Sequence, residues 1–139
     1  MSNKIIVTKV IIKNIGHLEV SNSYNYSKGL SNNHIKVEFI TNELDVYSGE
    51  SIPRHINVIF NFNYGNYQDA FEKIFLPYIR VDTAGKYMVN DVIGKEFIAI
   101  FHLKYNEFYD NTYYLIRNLL SKKHAYLLLN DEKEGISNE

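Results

Sequence analysis

An alternating stretch, 55-HINVIFNFNY-64, is the feature that most constrains the fold of this chain. Every residue between its apolar positions, apart from Ile59, is histidine or asparagine. A period of two places successive side chains on opposite faces of a β-strand, so that one face enters a core and the other meets solvent. The segment therefore predicts a strand over 55–64 with an outward face of amides and imidazole. The apolar positions predicted to point inward are Ile56, Val58, Phe60, Phe62 and Tyr64.

Apolar and β-branched residues predict four more strands. They cover residues 4–20, 34–40, 96–105 and 112–120, separated by polar or glycine-containing segments. The first is long, and Gly16 marks a point where it could bend or bulge. Residues 121–130 fit either a sixth strand or a short helix.

One helix is predicted between the third and fourth strands. Phe71, Ile74, Phe75 and Tyr78 recur at the spacing of a helical apolar stripe. Asn66 is a candidate N-cap, Asp69 is placed in the first turn, and Pro77 should end the helix near residue 76.

Length and composition limit the class of protein. A chain of 139 residues with 45% hydrophobic residues predicts one domain, over 1–130, followed by an acidic tail over 131–139 that is expected to be disordered. It has no cysteine, which suits a reducing cytosol, and no apolar run of membrane-spanning length. We therefore expect a soluble, cytoplasmic protein without membrane contact. The abundance of Asn, Ile, Lys and Tyr is typical of AT-rich genomes and favours a low-GC bacterial host cell or its phage.

The order β-β-β-α-β-β resembles that of the OB-fold, a five-stranded barrel with its helix after the third strand. The resemblance covers residues 4–120. The stretch 92-VIGKEFIAIFHLKYNEFYDNTYYLIRNLL-120 is also similar to the closing hairpin of small phage single-stranded DNA-binding proteins, in which a short IGK sequence precedes a strand, a polar loop and an aromatic strand. The alternative is another small antiparallel α+β barrel or sandwich.

The resemblance implies binding of single-stranded DNA, without strong sequence preference and without a cofactor. The protein would protect or deliver single strands in phage or mobile-element replication or recombination. It would act as a homo-oligomer, in contact with phage or host replication and recombination proteins. OB-folds bind on strands two and three and on the loops after strands one and four. The corresponding candidate residues are Tyr24, Tyr26, Lys28, His34, Lys36, Arg54, Asn57, Asn61, Lys104, Phe108 and Tyr109.

Other readings of the same residues remain open. A formal charge of −1 argues against a strongly basic nucleic-acid binder, and Glu38 and Glu96 would oppose phosphate. The histidines are scattered singly, although His34 and His55 could become neighbours across two strands. The sequence contains no catalytic or metal-binding motif. We therefore do not predict an enzyme. The main alternative is a phage-encoded interaction module that inhibits a host enzyme or defence system. A small-molecule-binding barrel is a third possibility.

Overall fold

The structure, a computed structural model, describes residues 4–17 and 34–121. The described elements are five strands, one α-helix and a short 3-10 helix at Val89–Asp91. In chain order they are β1 (Lys4–His17), β2 (His34–Thr41), β3 (His55–Asn61), α1 (Gly65–Phe75), β4 (Glu96–Asn106) and β5 (Asn111–Ser121). The predicted β-β-β-α-β-β order is therefore confirmed. The predicted element at 121–130 and the tail at 131–139 lie outside the described residues, apart from Ser121 at the end of β5.

The strands form one antiparallel five-stranded sheet in the order β3-β2-β1-β4-β5. In a flat sheet the two edges, β3 and β5, would be about 19 Å apart, at roughly 4.8 Å for each strand spacing. The two edges nevertheless contact each other, although no backbone ladder joins them in the described residues. The sheet is therefore strongly curled without closing into a barrel. Helix α1 contacts both β3 and β5 and so lies across the opening between them.

Two local predictions for the strands are wrong. The register of β1 against β2 shifts between Ile12 and Asn14, so the bulge lies at Lys13 and not at Gly16. Strand β3 ends at Asn61, three residues before the end of the alternating pattern. Tyr64 consequently precedes the helix and is 60% exposed, where an inward position was predicted.

Helix α1 follows the predicted apolar stripe, since Phe71, Ile74 and Phe75 are buried. Its N-terminus differs from the prediction. The N-cap is Tyr64, which makes no side-chain capping bond; Asn66 already lies inside the helix, and the first turn contains no acidic residue. Burial of the Phe71 side of the helix, and not capping chemistry, therefore sets where this helix forms.

Aromatic contacts connect the strands to one another and to α1 within a core that also contains many aliphatic side chains. Phe39 of β2 meets Phe101 of β4 edge-on, with ring centroids 5.2 Å apart. Phe60 of β3 packs edge-on against Phe71 of α1 at 5.4 Å. Just after the helix in the chain, the hydroxyl of Tyr78 donates to the backbone oxygen of Leu119 on β5 at 2.8 Å. These contacts join both halves of the sheet to the helix.

A buried carboxylate organises the turn after β2. Asp45 is 1% exposed, and its Oδ1 accepts hydrogen bonds from the backbone N–H groups of Tyr47, Ser48 and Val7 at 2.8, 3.2 and 3.4 Å. The next residue, Val46, donates its N–H to the oxygen of Val7 at 2.7 Å. The turn thus occupies the edge of β1 that β2 does not reach. Burial alone would raise the pKa of Asp45, but the hydrogen bonds from Tyr47 and Ser48 outweigh it and leave this pKa below its usual 3.8.

We expect Asp45→Ala to lower the free energy of unfolding by about 1–3 kcal/mol, because it leaves buried N–H groups without an acceptor. Asp45→Asn keeps an acceptor oxygen and should cost less. Since folding lowers this pKa, the ionised form stabilises the protein above pH ~4, and that contribution is lost as pH falls through the folded value. Urea unfolding at several pH values is the measurement. In Asp45→Asn, the free energy of unfolding should fall less steeply than in the wild type as the pH is lowered below about 4. An equally steep fall in both proteins would contradict the stabilising role of the ionised Asp45.

Candidate nucleic-acid interface

The pairing of β2 with β3 brings four of the predicted residues onto one solvent-facing surface. His34 lies opposite Asn61 and Lys36 opposite Ile59, while Glu38 lies opposite Asn57. Their neighbours along each strand are buried, so all these side chains share the outer face of the sheet. We call His34, Lys36, Asn57 and Asn61 the strand face. Amide, imidazole and ammonium groups on this surface can bond base edges and phosphate.

Two of the predicted phosphate-binding cations are already paired with acids. Lys36 Nζ lies 3.5 Å from Glu38 Oε1 on the same strand. Arg54 NH1 lies 3.1 Å from Glu43 Oε1, and both of these side chains are more than half exposed. Exposed pairs are weak, so a phosphate could displace either acid, but the acids reduce the net positive charge offered to a polyanion.

The two histidines considered as a possible pair lie apart. His34 faces Asn61 at one end of the β2–β3 ladder, and His55 faces Ile40 at the other. The structure therefore excludes a shared site for their side chains along this ladder. His34 has a distinct feature of its own: its buried Nδ1 has no hydrogen-bond partner among residues 4–17 and 34–121.

The β4–β5 hairpin presents two aromatic rings at its tip. Asn106 pairs with Asn111, and the Oδ1 of Asn106 accepts from the backbone N–H groups of Phe108 and Tyr109 at 3.0 and 3.3 Å. This turn holds Phe108 86% exposed and Tyr109 71% exposed, with ring centroids 5.0 Å apart at 79°. Tyr105 and Asp110 are hydrogen-bonded across the base of the tip. Two exposed rings on an ordered turn can stack on bases or insert into a pocket of a partner.

The candidate residues thus fall into two groups on either side of β1. The strand face belongs to β2 and β3, whereas Lys104, which pairs with Tyr113, belongs with the hairpin tip on β4 and β5. Arg54 precedes β3 and lines a shallow groove beside β1. The remaining predicted residues, Tyr24, Tyr26 and Lys28, lie outside the described part of the chain.

No protein-family model, curated protein or solved structure matches this chain.

Two exposed rings near the strand face are not evident from the sequence pattern. Tyr64 and Tyr67 are 60% and 40% exposed, and their ring centroids lie 6.3 Å apart. The N–H of Tyr64 donates to the backbone oxygen of Asn61 at 3.1 Å, which places this pair at the His34 end of the strand face. Asn63 and Gly65, which flank Tyr64, are turn-forming residues and were a signal that the strand ends earlier.

Two further features bear on the type of site. Among residues 4–17 and 34–121, no three His, Asp or Glu side chains converge as ligands of a metal ion. The helices in those ranges are also too short to cross a membrane.

Proposed function

We propose that this protein binds single-stranded nucleic acid, with DNA favoured, on the strand face and the β4–β5 hairpin tip. The observation that supports this most is the topology. An antiparallel sheet in the order β3-β2-β1-β4-β5, with a helix after β3, resembles an OB-fold opened between its third and fifth strands. In that fold the strand face and the β4–β5 loop are the parts that contact oligonucleotides.

The chemistry of these surfaces favours stacking and amide hydrogen bonds over phosphate attraction. Phe108 and Tyr109 offer rings that any base can stack on, so recognition would depend weakly on sequence. Asn57 and Asn61 offer both donors and acceptors to base edges. The proposed role is protection or delivery of single strands in replication or recombination in a bacterial cytoplasm, in contact with phage or host enzymes of those pathways.

Binding is expected to depend only modestly on salt. If about one or two phosphates are neutralised, affinity for a single strand should fall roughly 3- to 7-fold between 50 and 200 mM salt, at a slope of about −0.7 per phosphate. Fluorescence anisotropy of a labelled oligo-dT of about 30 nucleotides, titrated at both salt concentrations, measures this. A duplex of the same length is the control and should bind more weakly. No binding at either salt concentration would overturn the proposal.

The paired cations favour a second candidate function. Since Lys36 on the strand face and Arg54 before β3 each have an acidic neighbour, this side of the sheet resembles a mixed-charge protein interface as much as a phosphate-binding surface. In this case the exposed rings of the hairpin tip would anchor a partner protein, as expected of an inhibitor of a host enzyme or defence system. Absence of oligonucleotide binding, together with saturable binding to one purified host protein that Phe108→Ala abolishes, would support this alternative.

A further inference from the structure

The outward side of the β4–β5 hairpin carries a group of hydrogen-bond donors. Leu103 and Tyr114 pack against the core, so His102 and Lys104, the neighbours of Leu103 on β4, lie on the opposite side of the hairpin. These two side chains are roughly 6.6 Å apart along the strand. Arg117 of β5 lies beside them, with its NH1 3.3 Å from Nδ1 of His102. We call His102, Lys104 and Arg117 the basic cluster.

A β-bulge brings Arg117 to this surface. Ile116 pairs with Phe101 and Asn118 pairs with Ile100, so Arg117 is the extra residue between two consecutive pairs. Ile116 is buried, whereas Arg117 and Asn118 are both exposed. In a regular strand one of these two neighbours would point into the core. Bulges characteristically redirect a side chain in this way, and here the redirected side chain is the guanidinium that meets His102.

The contact between Arg117 and His102 determines which groups the cluster offers to a ligand. A guanidinium can only donate, so Nδ1 of His102 accepts from Arg117 and the neutral ring carries its proton on Nε2. The cluster then offers the remaining N–H groups of Arg117, the Nε2–H of His102 and the ammonium of Lys104. A set of donors that includes a guanidinium fork suits an oxyanion such as phosphate.

The two cations of the cluster are not neutralised by the acids near them. Within residues 4–17 and 34–121, the ion pairs involve other cations, among them Lys36 and Arg54, and neither Lys104 nor Arg117. At the hairpin tip, the carboxylate of Asp110 is hydrogen-bonded to the hydroxyl of Tyr105. The β4–β5 hairpin therefore offers a phosphate more available positive charge than the strand face does.

The basic cluster is continuous with the exposed rings of the hairpin tip. Lys104 lies two residues before Asn106, which holds the turn that carries Phe108 and Tyr109. Tyr113, which pairs with Lys104, is itself 40% exposed. Asn106 and His102 are about 13 Å apart along β4. Rings at one end of this surface and donors along it match a ligand in which bases and phosphates alternate.

We propose that the basic cluster binds backbone phosphates of the single strand whose bases stack on the hairpin tip. Arg117 holds one phosphate through its fork, and Lys104, nearer the tip, holds another as a point charge. His102 is a positioning residue that orients the guanidinium. The site presupposes the proposed binding of single strands and places its phosphate contacts on β4 and β5, away from the paired Lys36 and Arg54.

Anisotropy titrations of oligo-dT at several salt concentrations test the site. Arg117→Ala should weaken binding about 3- to 10-fold at low salt, and the slope of log affinity against log salt should become shallower by about 0.7. Lys104→Ala should change the slope by a similar amount. Arg117→Lys keeps the charge but loses the fork, so it should keep the slope and bind less tightly than the wild type. Lys73→Ala removes an exposed cation of α1; it is the matched control and should change neither quantity.

A methylphosphonate oligo-dT separates phosphate contacts from base contacts, because it keeps the bases and lacks the backbone charge. The wild type and Arg117→Ala should bind this analogue equally. Natural oligo-dT binding that Arg117→Ala and Lys104→Ala leave unchanged overturns the phosphate site alone, and the proposed function stands. An equal loss on both oligonucleotides also overturns it, since Arg117 would then contact bases or support the fold. Absence of oligo-dT binding by the wild type overturns the proposed function and the site together.

Discussion

Phe101→Ala is expected to lower the free energy of unfolding by about 3–5 kcal/mol. Phe101 is fully buried in the middle of β4 and contacts Phe39 edge-on at 5.2 Å. Its removal leaves a cavity between the inward faces of β2 and β4, the two strands that flank β1. Since single domains are stable by only about 5–15 kcal/mol, this one substitution should bring the protein close to unfolding.

Urea unfolding followed by circular dichroism measures this loss. Phe101→Leu, which retains most of the buried volume, is the conservative control and should cost less than about 1.5 kcal/mol. Phe108→Ala removes a ring of the same type from an exposed position and should change stability by less than about 0.5 kcal/mol. Equal effects of Phe101→Ala and Phe108→Ala would contradict the placement of Phe101 in the core.

The second large effect is expected on binding. Phe108→Ala and Tyr109→Ala should each weaken oligo-dT binding by roughly 5- to 150-fold, because base stacking on one ring contributes about 1–3 kcal/mol. The turn that carries these rings is held by Asn106, so truncating either ring should leave the backbone in place. Anisotropy titrations at one fixed salt concentration are sufficient to compare the variants.

Ring-retaining variants separate stacking from a structural role. Phe108→Tyr and Tyr109→Phe keep an aromatic face and should bind within about twofold of the wild type. Truncating Tyr64 or Tyr67 extends the test to the other end of the strand face. Loss of binding on truncating Tyr64, with no effect at the hairpin tip, would move the site to the His34 end; unchanged affinity in all four alanine variants would remove both ring sites.

Much of this fold follows from periodicity in the sequence. Alternation predicts β2 and β4 to within about a residue, because an apolar face of period two can be buried only by a strand. The stripe of Phe71, Ile74 and Phe75 predicts the helix for the same reason with a different period. The sequence is less informative where a strand pattern overlaps the start of a helix. The alternation continues to Tyr64, although β3 ends at Asn61 and Tyr64 is the N-cap of α1.

The composition of the candidate site could be read from the sequence, but its arrangement could not. Asparagines between apolar residues necessarily lie on the outward face of β3, whichever strand pairs with it. Only the register shows that His34 meets Asn61 and not His55, and only the turn geometry leaves Phe108 86% exposed. Likewise, the alternating isoleucines of β1 and β4 look like ordinary core residues in the sequence. Their outward members lie outside the core because the sheet curls around a single core, so only one side of each strand can be covered by it.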